Sequence, residues 1–294
     1  RTAAASLTLP AYRDEQWHGR NQLKFINGLA ESWSENVDDF TGRMADLKAR
    51  IIGKEKLVLN LTADEIGLRS LVDAVTPVLT ELSDARFMVC EPSIPDLSPR
   101  TGVVIPAQVS YVAEAFPAPT YGSELAAPLF VLSRLLANGY LYKKIRVEGG
   151  AYGGMCQYDP TGGVFSFLSY RDPHLERTLS VYAEALRFAE KEAVPHEEIQ
   201  KAIIGSIGAL DRPMDPVSRG FASMIRYFSG QADEERKKFR LAVLSMDDKA
   251  LTGEALKYLI RVKDKAAVAV YAEGEKMHTA NMVLQPPLRI ETLT

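Results

Sequence analysis

Four of the six residues from Gly149 to Gly154 are glycine, and no other stretch restricts the fold as tightly. Glycine tolerates left-handed backbone angles and the close approach of a second chain, and it weakens helix and strand interiors alike. The segment therefore belongs at a junction, between a helical turn expected over 141–146 and a strand starting near Ala151. Arg146 and Tyr152 flank the glycine pair, with five residues between them. A cation and a phenol offered from a bare backbone edge can hold an extended peptide and polarise one of its carbonyls. The residues alone leave a plainer alternative open. Arg146 would then be a structural cation at a helix end, where it suits the helix dipole, and Tyr152 an ordinary sheet residue.

On either side of this junction the patterning is that of an α+β protein. A strand is expected over 102–116 and a helix over 122–139. Two antiparallel strands follow at 151–158 and 163–170, joined by Asp159-Pro160-Thr161-Gly162, which is turn chemistry. Asp172 before Pro173 reads as a cap and first residue for a helix over 173–191. Pro195 starts another at 196–210, and two or three more lie between 216 and 262. A final strand is expected at 266–271 and a short helix after Gly274. This order predicts an antiparallel sheet with helices packed on one face. Residues 13–34, 37–52 and 62–82 carry helical apolar spacing, with one short strand at 56–61 between them. One strand cannot make a sheet, so this part is expected to complete itself against something else. Pro92, Pro95 and Pro99 mark a linker over 83–101. Two domains are expected, 1–100 and 101–294.

Several function classes drop out. A net charge of −3 gives no electrostatic case for nucleic acid or an anionic membrane. There is no run of 18 apolar residues to span a bilayer. Cys90 and Cys156, the only cysteines, do not make a disulfide framework and suit a reducing compartment. His18, His174, His196 and His278 show no H-E-x-x-H or H-x-x-E-H spacing, so no metal site is expected within the chain. Gly149 and Gly154 share the outer spacing of a P-loop, but Met155-Cys156 stands where Lys and Ser or Thr are needed. No G-x-S-x-G elbow occurs, and Cys156 in a strand is expected to be a buried, inert thiol.

The run Arg146-Val147-Glu148-Gly149-Gly150-Ala151-Tyr152-Gly153-Gly154, continuing through Gly163-Val164-Phe165-Ser166-Phe167-Leu168-Ser169-Tyr170-Arg171-Asp172-Pro173, resembles the C-terminal half of the insulinase-type (M16) zinc metallopeptidases of subfamily C, the presequence-protease-like branch. Weaker likeness covers nearly the whole chain. The resemblance implies two homologous halves that close around a chamber, each built of two α+β domains. It implies that the N-terminal half holds zinc and that the C-terminal half holds none. Residues 1–100 would be the end of the third domain and 101–294 the fourth. Arg146 and Tyr152 match the pair that reaches substrate at the zinc site, with the separation typical of subfamily C. Gly149, Gly150, Ala151, Gly153 and Gly154 would line the substrate. The implied partners are the N-terminal catalytic half, in the same or a separate polypeptide, and an unstructured peptide. The chain alone is expected to be inactive. The bacterial cytoplasm is the expected compartment, or the mitochondrion or plastid in a eukaryote. An assembly subunit of the same fold, without peptide chemistry, is the alternative.

Overall fold

The computed structural model describes residues 1–55, 57–84, 91–191, 194–247 and 249–293. A 3-10 turn (Ala4–Ser6) leads into α1 (Leu9–His18), α2 (Arg20–Glu31), α3 (Trp33–Ile51) and α4 (Glu65–Glu81). β1 (Arg100–Val104) and β2 (Ser110–Pro117) precede α5 (Ala126–Leu136), which runs on as a π-helix over Ala137–Val147. β3 (Gly153–Asp159) and β4 (Val164–Asp172) form a hairpin. There follow α6 (Glu176–Lys191), α7 (His196–Leu210), α8 (Pro216–Phe228), α9 (Asp233–Leu244), a second π-helical stretch (Lys249–Ala255), α10 (Leu256–Val262), β5 (Ala267–Ala272), α11 (Gly274–Asn281) and β6 (Arg289–Thr292).

The chain forms two compact units. One comprises Arg1–Lys24, Ser93–Asp211 and Asp233–Thr294; the other comprises Phe25–Pro92 and Arg212–Ala232. This division does not fall at residue 100. The first unit takes in the N-terminal 24 residues, and the second draws a segment from beyond residue 200.

In the first unit, six strands lie in the order β3-β4-β2-β5-β1-β6. The β3-β4-β2-β5 portion is antiparallel, and β1 runs parallel to both β5 and β6. Strand alternation sends Val112, Phe116, Phe165, Phe167, Val268 and Val270 to one face, where α5, α6 and α10 bury them. Buried Tyr182 of α6 donates its hydroxyl to the Val112 carbonyl oxygen at 3.0 Å, so the helix layer is hydrogen-bonded as well as packed. Ala113, Ala115 and Ala269 alternate to the opposite face, where small side chains let Ala3, Leu7 and Ala11 settle against the sheet. The helices thus cover one face, while the N-terminal segment covers part of the other.

Several boundaries differ from the sequence expectation. The helix expected over 13–34 is two helices, broken at Gly19. Buried Glu15 accounts for the break, since its carboxylate accepts the Arg20 amide at 3.0 Å and Thr2 Oγ1 at 3.1 Å. The strand expected over 102–116 is two strands, β1 and β2, separated at Pro106, which has no amide hydrogen for a ladder. The single turn expected over 141–146 is the end of an eleven-residue π-helix. Of the strand expected over 56–61, Lys56 lies outside the described residues. Residues 57–61 form no strand among the described residues, and Leu57, Val58 and Leu59 are exposed. Cys90 and part of the expected linker also lie outside the described residues. In the second unit, α4 starts where Asp64 Oδ1 accepts the Gly67 amide at 2.7 Å, a side-chain cap.

Candidate functional site

The last turns of the π-helix and the start of β3 carry the glycine junction. The Lys143 carbonyl accepts the Glu148 amide at 2.9 Å, the wide spacing of π-winding. The Arg146 carbonyl then accepts the Gly150 amide at 3.1 Å, and the Ile145 carbonyl accepts the Ala151 amide at 3.1 Å. These bonds close the helix and turn the chain into the strand. Gly150 takes φ +74°, a left-handed angle that other residues resist. A Cβ on Gly149 would lie 2.5 Å from the Ile145 carbonyl oxygen. A Cβ on Gly154 would lie 2.9 Å from Ile145 Cβ and 3.0 Å from the Leu141 oxygen. Gly153 has neither a positive φ nor a close neighbour, with Tyr170 Cβ the nearest atom at 3.9 Å. Three of the four glycines therefore have an internal structural reason, and Gly149 and Ala151 are buried. The four glycines are thus not one uncovered backbone edge.

Arg146 and Tyr152 both stand at the surface. Tyr152 is 68% exposed, and its hydroxyl has no partner among the described residues. Its ring meets Tyr170 edge-on at 5.8 Å, and Tyr170 meets Tyr111 in the same way at 5.4 Å. The three tyrosines form a short ladder from the residue before β3 across β4 to β2. Arg146 forms no ion pair among the described residues, and its guanidinium lies over the Tyr142 ring, 5.5 Å from the centroid. Arg171 follows Tyr170 at φ 49°, and its carbonyl accepts the Tyr152 amide at 3.4 Å. A left-handed non-glycine residue is uncommon and marks local strain beside Tyr152.

Tyr111, Tyr142, Tyr170 and Arg171 were not singled out from the sequence. The alternation of β4 puts Tyr170 beside the glycines, which was a usable signal. The positive φ of Arg171 has no sequence signature.

β3 is the outer strand of the sheet, and its free edge lies in a groove of about 750 Å³. Phe130, Ser133, Arg134, Ala137 and Tyr142 wall it on the side of α5 and the π-helix, and Pro10, Ala11 and Asp14 on the other side. Cys156 of β3 is buried, and burial pushes its thiol pKa well up, which suits an inert group. Among the described residues no group of three His, Cys, Asp or Glu could hold a metal. His18 is bonded to Asp14 at 2.9 Å and His196 to Gln200 at 3.0 Å. The residues present do not fit zinc, and no metal step is assigned to them. No helix among the described residues is long and apolar enough to cross a membrane.

Comparison with known proteins places this geometry in a family. The PreP C-terminal domain matches residues 100–273. Presequence protease 1, chloroplastic/mitochondrial, of Arabidopsis thaliana is 31% identical over 280 residues, covering 94% of this chain and 26% of that protein. The mitochondrial presequence protease of Yarrowia lipolytica is 29% identical over 279 residues, covering 94% of this chain and 28% of that one. The chain thus spans about a quarter of the length of the curated relatives it matches. Pitrilysin shares the fold with a TM-score of 0.51 at 13% identity, over 78% of this chain and 25% of that chain. The periplasmic protease PqqL of Escherichia coli does so with a TM-score of 0.52 at 13% identity, over 76% and 27%. Because the family match takes in more than half of its residues, the chain belongs to the family of the PreP C-terminal domain, the C-terminal half of M16-type presequence proteases.

Proposed function

We propose that this chain is the substrate-binding, non-zinc half of a metalloendopeptidase that degrades unstructured peptides. The observation that carries the reading is the pair formed by Arg146 and Tyr152. Both are exposed, neither has a polar partner among the described residues, and both are fixed by the backbone bonds of one glycine junction. A guanidinium and a phenol without polar partners among the described residues, carried on the two sides of one rigid turn, serve an external ligand better than they serve the fold.

Tyr152 donates its hydroxyl hydrogen to the scissile carbonyl oxygen, and the bond strengthens as that oxygen gains charge. Arg146 offers a planar fork of donors to the same region of the peptide. Its stacking on Tyr142 limits the rotamers it must give up on binding. Gly153, the glycine without a packing constraint, lets the peptide main chain approach. In this proposal the zinc, and the water it activates, belong to the N-terminal half, supplied by the same polypeptide or a partner. The compartment proposed is the bacterial cytoplasm, or the mitochondrion or plastid in a eukaryote; the matched relatives are named as organellar. An assembly subunit of the same fold has no use for the exposed pair, so that alternative is set aside.

The test is Tyr152→Phe in the complete protein. Turnover is expected to fall roughly ten- to a thousandfold, the range for loss of an oxyanion donor, with zinc content unchanged. Unaltered turnover would overturn the proposal.

A further inference from the structure

We propose that the groove along β3 receives an extended peptide segment as an added strand, and that Arg134 selects an acidic residue in it. This rests on the peptide-binding reading above and extends it from the glycine junction to the whole strand.

β3 runs Gly153–Asp159 at the rim of the sheet, and no strand among the described residues pairs with its outer edge. Seven residues at ~3.3 Å each give about 23 Å of free ladder. An edge of unpaired amides and carbonyls is a template for another strand, and proteins usually blunt such edges with Pro, Lys or a covering segment. β3 contains neither Pro nor Lys. Instead the edge lies between two walls, α5 with the π-helix on one side and α1 on the other. A groove walled on both faces of the sheet leaves the strand edge itself open to an extended chain. Tyr142, which carries Arg146 on its ring, lines the same groove, and so does Gly154. The channel therefore leads to the proposed reacting site.

The charges in the groove are unequal in their freedom. Arg1 is paired with Asp14 at 2.7 Å, and Asp14 also holds His18. Asp159 accepts the Thr161 amide at 2.9 Å within its own turn. Arg134 is half-buried on the α5 wall and has no ion pair or hydrogen bond to its side chain among the described residues. A guanidinium drawn partly out of water, with no counter-ion among the described residues, is a free cation on the groove wall. It complements a peptide carboxylate, and a charge-assisted bond there discriminates Asp or Glu from Gln. Main-chain pairing supplies sequence-independent affinity and the single cation supplies selectivity, the usual division in strand addition.

The experiment uses the complete polypeptide that carries this chain, stripped of metal by a chelator so that no peptide is cut. Fluorescent short peptides are titrated in three forms: one with a central Glu, one with Gln in its place, and one with alternate backbone amides N-methylated. The Glu peptide is expected to bind about tenfold more tightly than the Gln peptide. Arg134→Gln is expected to erase that difference while leaving the Gln peptide unaffected, and Arg134→Lys to restore part of it. N-methylation is expected to abolish binding of both. Full affinity after N-methylation would overturn strand addition. An equal loss for Glu and Gln peptides in Arg134→Gln, at unchanged melting temperature, would overturn the acid preference. Peptide bound by this chain alone but not by the complete protein would show that a segment of the parent occupies the groove, and would overturn peptide substrate as its occupant. These results are separable from the proposed role of Tyr152, since Tyr152→Phe is read by turnover and the groove by affinity.

Discussion

Gly154 leaves no room for a methyl group, because the strand there rests directly on Ile145 and the Leu141 carbonyl of the π-helix. Gly154→Ala is expected to destabilise the first unit by about 1–3 kcal/mol, the cost of overpacking a closed contact, read as a lower urea midpoint. Gly150→Ala is expected to cost about 1–2 kcal/mol through its φ of +74°, since no neighbour obstructs the added carbon. Gly153→Ala, with open space around it, is expected to leave stability within about 0.5–1 kcal/mol and to act on peptide affinity instead. The sequence brought these glycines forward together with Arg146 and Tyr152, because a run so poor in side chains is conspicuous. It did not separate glycines required by packing from the one left open. That distinction depends on how close the π-helix comes to β3, a distance that no local spacing encodes. Arg134 was passed over for a similar reason. On an apolar helix it reads as a solvated cation, and only the fold shows the groove it lines.

At the scale of the element, β2 carries a half-buried acid on the helix-facing side of the sheet. Glu114 stands in one cross-strand row with Val268 and Arg100. Burial pushes its carboxyl up to about 7 from the ordinary 4.5, and the Arg100 charge offsets this only in part. The sign follows from proton uptake. Between about 4.5 and about 7 the folded chain holds a proton at Glu114 that the unfolded chain has released. The contribution is therefore complete below about 4.5 and is lost as pH rises through about 7. Glu114→Gln is expected to flatten this part of the pH profile and to stabilise the chain at pH ~8, by about 3 kcal/mol at the upper bound. Urea midpoints measured across that range check it. The β3-β4 hairpin was legible because its turn residues and alternation agree. The break between β1 and β2 hung on one proline inside a β-branched run. β6 went unrecognised, since four residues beside a parallel neighbour carry too little pattern to be read.

At the scale of the molecule, the chain spans about a quarter of its curated relatives and leaves much apolar surface open. In the second unit Phe25, Ile66, Phe221 and Tyr227 are all exposed. Large exposed apolar patches mark association surfaces. The isolated chain is expected to bind a hydrophobic dye and to self-associate, and both signs are expected to fade in the complete protein. With or without added zinc, the isolated chain is expected to cleave no peptide, and metal-dependent turnover by it would remove the basis of the two-half proposal. The α+β layout was legible from the order of strands and helices. The two compact units were not, since the second joins segments more than a hundred residues apart in sequence.

The unusual winding from Ala137 to Val147 has one more effect. A coil with i→i+5 bonding holds more residues per turn than an ordinary helix, so it behaves as a loaded spacer. Deleting a single residue between Gly139 and Lys143 would let it relax into the tighter α form without breaking the rod. The lost residue and the changed winding together would shift the bearing of Arg146 around the axis. Relatives with a shortened segment here would keep the architecture and lose the bearing of their guanidinium, so a functional change could be found by counting residues alone.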